Sequence, residues 1–219
     1  MVRLIRERNR PSALRDCCII LASFYGLFRA QDLEAIELQD VTLFEDYIKL
    51  FIPFSKNDRM RDGHDSIHAR LPATLSEFCL VAALMEHLSL GNPASPMHLV
   101  PASGSLAGIP LFPKLKVSGR TAKAVCAAIS YSAYRALLSA LVVGIHLDPA
   151  LYTPHSFRSG GASALHALGY DRESIMLVGR WSSDAVDNYL HRPILELLDM
   201  SSRLARRTGP PVAMDLDTE

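Results

Sequence analysis

Two segments in the C-terminal half of the chain carry residues that could act on a phosphate. In the first, residues 153–161, His155 and Arg158 are three positions apart. Thr153 and Pro154 are residue types typical of a helix N-cap and of the first helical position, which predicts that His155 and Arg158 lie one turn apart on one helix face. Free backbone N–H groups and the positive end of the helix dipole would favour an anion there.

Arg158 could bind two phosphate oxygens and His155 could exchange a proton. An isolated pair of this kind is usually solvated surface, so the interpretation depends on the rest of the chain.

The second segment, residues 178–191, contains Trp181, which is the single tryptophan of the chain, and Tyr189 eight positions later. Ser183 is a suitable N-cap for a helix that would carry Tyr189 two turns in. Trp181 combines a large apolar body with one N–H donor, so it could donate a hydrogen bond while packing on the core. Taken alone, it would be read as a core anchor.

Together, the two segments resemble the C-terminal catalytic motifs of the tyrosine recombinase (phage integrase) family, which are an HxxR motif, a His or Trp position, and a nucleophilic tyrosine. Two further segments match the family. Residues 26–33, Gly-Leu-Phe-Arg-Ala-Gln-Asp-Leu, are similar to the segment of the family's first arginine, with Arg29 at that position and Asp32 in place of the usual glutamate. Lys56, after a predicted strand, matches the family's lysine in the turn between the second and third strands.

The resemblance implies an enzyme that breaks and rejoins DNA strands through a covalent phosphotyrosine. Tyr189 would attack the phosphorus and form a 3′-phosphotyrosyl linkage. Arg29 and Arg158 would hold the non-bridging oxygens, and Lys56 would protonate the leaving 5′-oxygen.

The remaining matched residues would support this chemistry. His155 would assist proton movement at the tyrosine or the phosphate, Trp181 would donate a further hydrogen bond, and Asp32 would orient an arginine from behind. The chain shows no metal-ligand cluster and no nucleotide-binding glycine loop, and the implied chemistry needs no metal and no cofactor.

The spacing of the second segment departs from that of bacterial and phage members, which commonly have nine residues from the His or Trp position to the tyrosine. The Gly-Arg-Trp-Ser-Ser-Asp-Ala stretch that begins at Gly179 is similar to segments of eukaryotic mobile-element recombinases of the DIRS, Ngaro and Crypton kinds. This similarity favours a eukaryotic transposon-derived protein, which would be nuclear.

The expected fold is mainly α with a small three-stranded antiparallel sheet, an α+β arrangement like the tyrosine recombinase catalytic domain. Apolar periodicity and β-rich runs predict the elements. The predicted helices are Ala13–Leu27, Gln31–Leu38, Thr74–Leu88, one long or two short helices over Thr121–Leu141, and helix from Thr153 onward. The predicted strands are Val41–Phe44, Tyr47–Phe54 and Ser66–Leu71. Residues 91–119 are rich in proline, glycine and serine, which predicts a long surface loop with a short strand near Leu111.

The domain organisation expected from the sequence is a basic leader over 1–10, the catalytic domain over 11–207 and a disordered acidic tail over 208–219. The family usually has a separate helical DNA-binding domain before the catalytic one. The short leader is therefore compatible with a fragment, a truncated gene or a chain that relies on a partner.

Composition sets further bounds on function. Lysine plus arginine number 23, as do aspartate plus glutamate, so net charge alone does not favour a polyanionic partner. The four cysteines (Cys17, Cys18, Cys79 and Cys126) lack metal-ligand spacing and are read as reduced core thiols of an intracellular protein. No segment approaches the roughly 20 apolar residues of a membrane helix, and no signal peptide is evident, which predicts a soluble protein.

Three functional hypotheses follow. The first is an active recombinase or integrase domain on double-stranded DNA, working as a homo-oligomer, with a helix over Pro193–Ala205 available to pack on a neighbouring protomer or back on its own. The second is an inactive, transposon-derived DNA- or protein-binding module. The third is an unrelated α-rich interaction domain, in which Arg29, Lys56, Arg158 and Tyr189 would lie far apart.

Overall fold

The computed structural model describes residues 1–7, 10, 12–53 and 63–190. Helices make up most of its regular structure. The α-helices are α1 (Val2–Glu7), α2 (Ala13–Tyr25), α3 (Ala30–Ala35), α4 (Leu80–His87), α5 (Tyr131–Gly144), α6 (His155–Ala167) and α7 (Arg172–Gly179). Short 3-10 helices cover Leu38–Asp40, Ala73–Phe78, Pro96–Leu99, Pro149–Leu151 and Asp184–Asn188. The strands are β1 (Val41–Leu43), β2 (Tyr47–Ile52), β3 (His64–Ala69), β4 (Pro113–Ser118) and β5 (Thr121–Ala128).

Helix α2 forms the centre of the core. Its residues 16–23 are all buried, and the helix packs against α1, α4 and α6. The dense apolar run that predicted a buried helix is confirmed, because a helix covered on several sides needs apolar residues all round. Helix α1 lies within the predicted basic leader, and its Val2 and Ile5 are buried in the same core.

The three-stranded sheet has the order β1-β2-β3, and both strand pairs are antiparallel. This confirms the predicted sheet. The central strand β2 buries Ile48, Leu50 and Ile52 and alternates them with partly exposed residues, as expected for a strand with one face on the core. The predicted β2–β3 turn residue, Lys56, lies outside the described residues.

A second, two-stranded sheet formed by β4 and β5 was not predicted. The alanine-rich run from Thr121 predicts helix, but residues 121–128 pair with β4 and the helix α5 begins only at Tyr131. Two local features explain this difference. Gly119 has a φ of +58°, which suits a tight turn between the strands, and the Ser130 side chain accepts a hydrogen bond from the Ala133 N–H at 3.4 Å and so sets the later helix start. Strand pairing here outweighs the helix propensity of alanine.

The predicted helix over Thr74–Leu88 is also interrupted. A 3-10 helix ends at Phe78, Cys79 has extended backbone, and α4 follows. Cys17, Cys18 and Cys79 are buried as expected, whereas Cys126 is exposed on β5. Burial raises the pKa of the Cys17 thiol to about 11, so that thiol stays protonated at neutral pH.

No group of metal-ligating side chains occurs within the described parts of the chain. None of the described helices is long and apolar enough to cross a membrane.

Contact between α2 and α6 brings together the two segments that carry the predicted arginines. A Cβ at Gly161 of α6 would overlap the Phe24 carbonyl and the Leu27 side chain, so glycine is required for this close approach. The start of α6 therefore lies against the corner that follows α2, where Arg29 is located.

Candidate active site

Five of the six predicted site residues converge in one place, from segments far apart in the sequence. Arg29 directly precedes α3, His155 and Arg158 lie in the first turn and a half of α6, and Trp181 and Tyr189 follow α7. Contacts or electrostatic interactions join each of them to another member of the set. The sixth, Lys56, lies outside the described residues. The third hypothesis, in which these side chains lie far apart, therefore does not hold for the residues described.

Arg158 is at the centre of this cluster. Its side chain is fully buried, and its two terminal nitrogens donate to the carbonyl oxygens of Leu27 and Gly179. Its guanidinium carbon lies 3.9 Å from the centroid of the Trp181 ring, in a cation–π arrangement. A guanidinium has five N–H groups, so three remain for another acceptor, and Nε has no hydrogen-bond partner among the described residues.

Burial, followed by the neighbouring charges of Arg29 and Arg180, lowers the pKa of Arg158 to about 9. The side chain therefore remains mostly charged at neutral pH. The sequence predicted that Arg158 binds phosphate oxygens. The structure describes a buried guanidinium beneath Trp181, with part of its donor capacity unused.

The corner after α2 has an unusual backbone. Leu27 has a φ of +50°, a left-handed conformation that costs about 1–2 kcal/mol for a residue with a Cβ. This conformation presents the Leu27 carbonyl to Arg158 and, at 3.5 Å, to Arg180. Arg180 is itself left-handed, with a φ of +58°. Backbone strain on both sides of one contact is typical of a site where geometry matters more than local stability.

Arg180 is a further member of this cluster, which the sequence did not single out. Its Nη2 lies 2.6 Å from Asp32 Oδ2, and this ion pair is almost completely buried. The same Asp32 oxygen accepts the backbone N–H of Arg29 at 2.8 Å. Asp32 was expected to orient an arginine, and its carboxylate accepts hydrogen bonds from the Arg29 backbone N–H and from the Arg180 side chain. One signal could have found it: Arg180 is nine residues before Tyr189, which is the spacing that the resemblance implies between the family's His or Trp position and its tyrosine, whereas Trp181 is eight residues before.

The cluster contains more positive than negative charge. The guanidinium groups of Arg29, Arg158 and Arg180 interact with one another, and the carboxylate that offsets them is that of Asp32. Nη1 of Arg29 is buried and has no hydrogen-bond partner among the described residues. Buried charge without a partner is costly, so this cluster would be stabilised by an anion.

Tyr189 is held by contacts on several sides. Its hydroxyl lies 2.7 Å from His155 Nε2, and its ring centroid lies 5.2 Å from those of both His155 and Trp181. Its backbone carbonyl accepts a hydrogen bond from the Ser163 hydroxyl at 2.6 Å. The nearby α6 therefore contacts both ends of this residue.

The local structure around Tyr189 differs from the prediction. Ser183 is the N-cap, as expected, but the element it begins is a 3-10 helix of five residues, and Tyr189 follows its end. Arg172 of α7 holds this short helix through ion pairs with Asp184 at 2.6 Å and with Asp187 at 2.7 Å. The predicted start of α6 is shifted as well, because the N-cap is Pro154 and helical structure begins at His155.

His155 is suited to accept a proton. Its pKa lies below the ordinary value of 6.5, mainly because the side chain is partly buried and also because the positive charges of Arg158 and Arg29 oppose protonation. The imidazole is therefore neutral at neutral pH, and Nε2 can accept the hydrogen bond of the Tyr189 hydroxyl.

In the DNA-free protein, we expect His155 to titrate below pH 6.5. In an Arg29→Ala variant the midpoint should rise, because a neighbouring positive charge that opposes protonation is gone. NMR titration of the imidazole Cε1–H measures both values, and Arg135→Ala, on the exposed part of α5, is the control. A midpoint at or above 6.5, or one that Arg29→Ala leaves unchanged, would contradict the described environment.

Comparison with known proteins identifies the fold. No protein-family model matches the chain. The sequence is 26% identical over 189 residues to the integrase/recombinase xerD homolog of Selenomonas ruminantium, covering 86% of this chain and 49% of that protein. The chain thus spans about half the length of the curated relative it matches.

Solved structures of similar fold are also recombinases and integrases. The XerH site-specific recombinase, bound to a palindromic difH substrate in a post-cleavage complex, matches with a TM-score of 0.59 and 15% identity over 88% of this chain and 46% of that chain. The XerA recombinase matches with a TM-score of 0.58 and 20% identity over 92% of this chain and 60% of that chain. The Tn1549 transposon integrase, in complex with circular-intermediate DNA, matches with a TM-score of 0.50 and 14% identity over 88% of this chain and 57% of that chain.

The chain therefore has the fold of the tyrosine recombinase catalytic domain, which confirms the fold class expected from the sequence. Its sequence is similar to that of one integrase/recombinase, and its fold is similar to that of solved recombinases and integrases.

Proposed function

We propose that this chain is the catalytic domain of a DNA strand breaking-and-rejoining enzyme, which acts on double-stranded DNA through a 3′-phosphotyrosyl intermediate. One observation carries the proposal. A tyrosine hydroxyl, hydrogen-bonded to a neutral histidine at 2.7 Å, lies in the same cluster as Arg158 and Arg29, each of which has a buried nitrogen without a hydrogen-bond partner among the described residues. Such a pocket suits a phosphodiester, which is anionic and accepts several hydrogen bonds.

In the proposed reaction, one residue accepts the proton of the nucleophile and another donates a proton to the leaving oxygen. The Tyr189 oxygen forms a bond to phosphorus and its proton passes to His155 Nε2, while the bond from phosphorus to the 5′-oxygen breaks. Lys56 supplies a proton to that departing oxygen, by the family resemblance. Attack by a 5′-hydroxyl on the phosphotyrosine reverses every step and rejoins the strands. Arg29 and Arg158 neutralise the charge that develops on the non-bridging oxygens.

Other residues position these groups. Trp181 covers the Arg158 guanidinium, and we propose that its indole N–H donates to the phosphate once DNA is bound. Asp32 fixes the backbone of Arg29, and Arg180 ties Asp32 to the α7 end. This arrangement joins the two halves of the pocket.

The wider context of the proposal comes from the relatives and from the sequence resemblance. Residues 11–207 would form the catalytic domain, between a basic leader over 1–10 and an acidic tail over 208–219. The protein would act on DNA as a homo-oligomer, and the predicted contact helix, Pro193–Ala205, lies outside the described residues. The resemblance to mobile-element recombinases supports an origin in a transposable element. In a eukaryotic host the protein would then be intracellular and nuclear, because its substrate is there.

A suicide substrate tests the proposed activity. The full chain is incubated with 5′-labelled duplexes of varied sequence, each nicked just 3′ of the candidate cleavage position, so that the short released strand diffuses away and religation fails. A protease-sensitive band of reduced mobility on a denaturing gel is the expected result. The absence of any adduct across the sequence pool, from protein that binds DNA in a salt-dependent way, would overturn the proposal and favour the inactive binding module.

A further inference from the structure

The β4–β5 hairpin carries charged side chains of one sign only. Residues 113–128 contain Lys114, Lys116, Arg120 and Lys123 and no aspartate or glutamate, although the whole chain has 23 acidic and 23 basic residues. All four basic side chains are on exposed residues. None of them forms a salt bridge with a described residue.

The strand register places the three lysines on one face. Lys116 is paired directly with Lys123, and Lys114 is paired with Val125, so these four residues share a side of the ribbon. On the other side of the ribbon Ala122 is buried, whereas Val117, which is paired with it, is 57% exposed. Like charges directly opposite one another destabilise a strand pair. The repulsion between Lys116 and Lys123 therefore lowers the stability of the hairpin, and no described acidic side chain offsets it.

The position of the hairpin connects this row to the candidate active site. Strand β5 packs against α3, whose first turn carries Asp32 and follows directly on Arg29. The exposed hairpin is therefore in contact with the helix that begins directly after Arg29.

We propose that the lysine face of the β4–β5 hairpin binds the phosphate backbone of duplex DNA beside the cleavage position. This inference rests on the proposed function and adds a second contact that the catalytic residues do not include. Lysines two apart on a strand are about 7 Å apart, and directly opposed lysines about 5 Å. Three ammonium groups at this spacing favour a polyanion with closely repeated charges. The contact would fix the position of the DNA without reading its sequence.

Salt dependence gives a quantitative test. Each phosphate contact contributes about 0.9 to the slope of log affinity against log salt concentration. In the triple variant Lys114→Gln, Lys116→Gln, Lys123→Gln, the slope should therefore become shallower by about 2.7. The matched control Arg3→Gln, Arg70→Gln, Arg135→Gln removes the same charge from exposed sites outside the hairpin. Thermal unfolding of both variants verifies that they fold, and the hairpin variant is expected to be at least as stable as the parent.

A hairpin variant whose slope equals that of the parent, or changes only as much as in the control, would overturn the inference. So would binding of polyglutamate to the hairpin at an affinity equal to that of DNA under the same salt, which would point to an acidic protein partner. The suicide-substrate assay keeps the two proposals separate. If the parent chain forms the adduct but the hairpin variant has the parental salt slope, only the hairpin contact is wrong. If the hairpin variant has a shallower slope but the parent chain forms no adduct, only the proposed chemistry is wrong.

Discussion

Tyr189→Phe is expected to abolish the covalent DNA adduct while DNA affinity stays within about twofold of the parent. The substitution removes the attacking oxygen and keeps the ring that packs on His155 and Trp181. One hydrogen bond to His155 is lost, which typically costs about 1 kcal/mol of folding stability. The suicide-substrate gel and a binding titration on the same protein measure both effects.

Tyr170→Phe is the matched control, because Tyr170 is exposed at the end of α6 and contacts no site residue described above. It should form adduct at the rate of the parent chain. An adduct that persists in Tyr189→Phe would assign the nucleophile to another residue. A loss of adduct in Tyr170→Phe as well would show that the assay reports folding rather than chemistry.

Arg158→Ala is expected to have the second-largest effect, on both cleavage and stability. Loss of a single electrostatic donor to a transition state costs about 10²–10³-fold in rate. The substitution also removes the donors from two carbonyls, those of Leu27 and Gly179. The Leu27 carbonyl keeps its 3.5 Å contact with Arg180, whereas the Gly179 carbonyl loses the donor described here. A buried acceptor left unsatisfied costs about 1–3 kcal/mol, so the unfolding free energy should fall by about that amount.

Arg158→Lys separates the two effects, because an ammonium keeps the charge but cannot donate to both carbonyls in the fixed geometry of a guanidinium. Single-turnover cleavage and urea unfolding should show a variant of intermediate stability that is still strongly impaired in rate. Arg135→Ala, at an exposed position of α5, is the control for loss of an arginine. Cleavage at the parental rate by a folded Arg158→Ala protein would remove Arg158 from the site.

The sequence was informative where local patterns decide structure. The apolar run of α2 and the alternation of β2 each predict their element, since burial of a helix or of one sheet face imposes that pattern. The HxxR spacing likewise placed His155 and Arg158 in adjacent turns of one helix. Local patterns were insufficient where long-range contacts decide. Residues 121–128 have helix propensity, but pairing with β4 makes them a strand.

The partner of Asp32 shows the same limit at the site. The sequence predicted that Asp32 orients an arginine without identifying which one, and the side chain that pairs with its carboxylate is that of Arg180, which is 148 residues away. The left-handed backbones of Leu27 and Arg180 were also invisible, because neither residue type favours that conformation. Both features exist only once α6 and α7 pack on the corner after α2.

A neutral phosphate analogue tests most directly whether the arginines of this pocket neutralise the charge of the scissile phosphate. A methylphosphonate replaces one charged non-bridging oxygen with a methyl group, so less charge needs neutralisation. Arg29→Ala is the suitable variant, because Arg29 is only partly buried and its loss leaves the carbonyl contacts of Arg158 intact. On the natural phosphate we expect cleavage to fall by about 10²-fold or more, and on the methylphosphonate by less than about tenfold. An equal loss on both substrates would contradict the assignment of this pocket to the scissile phosphate.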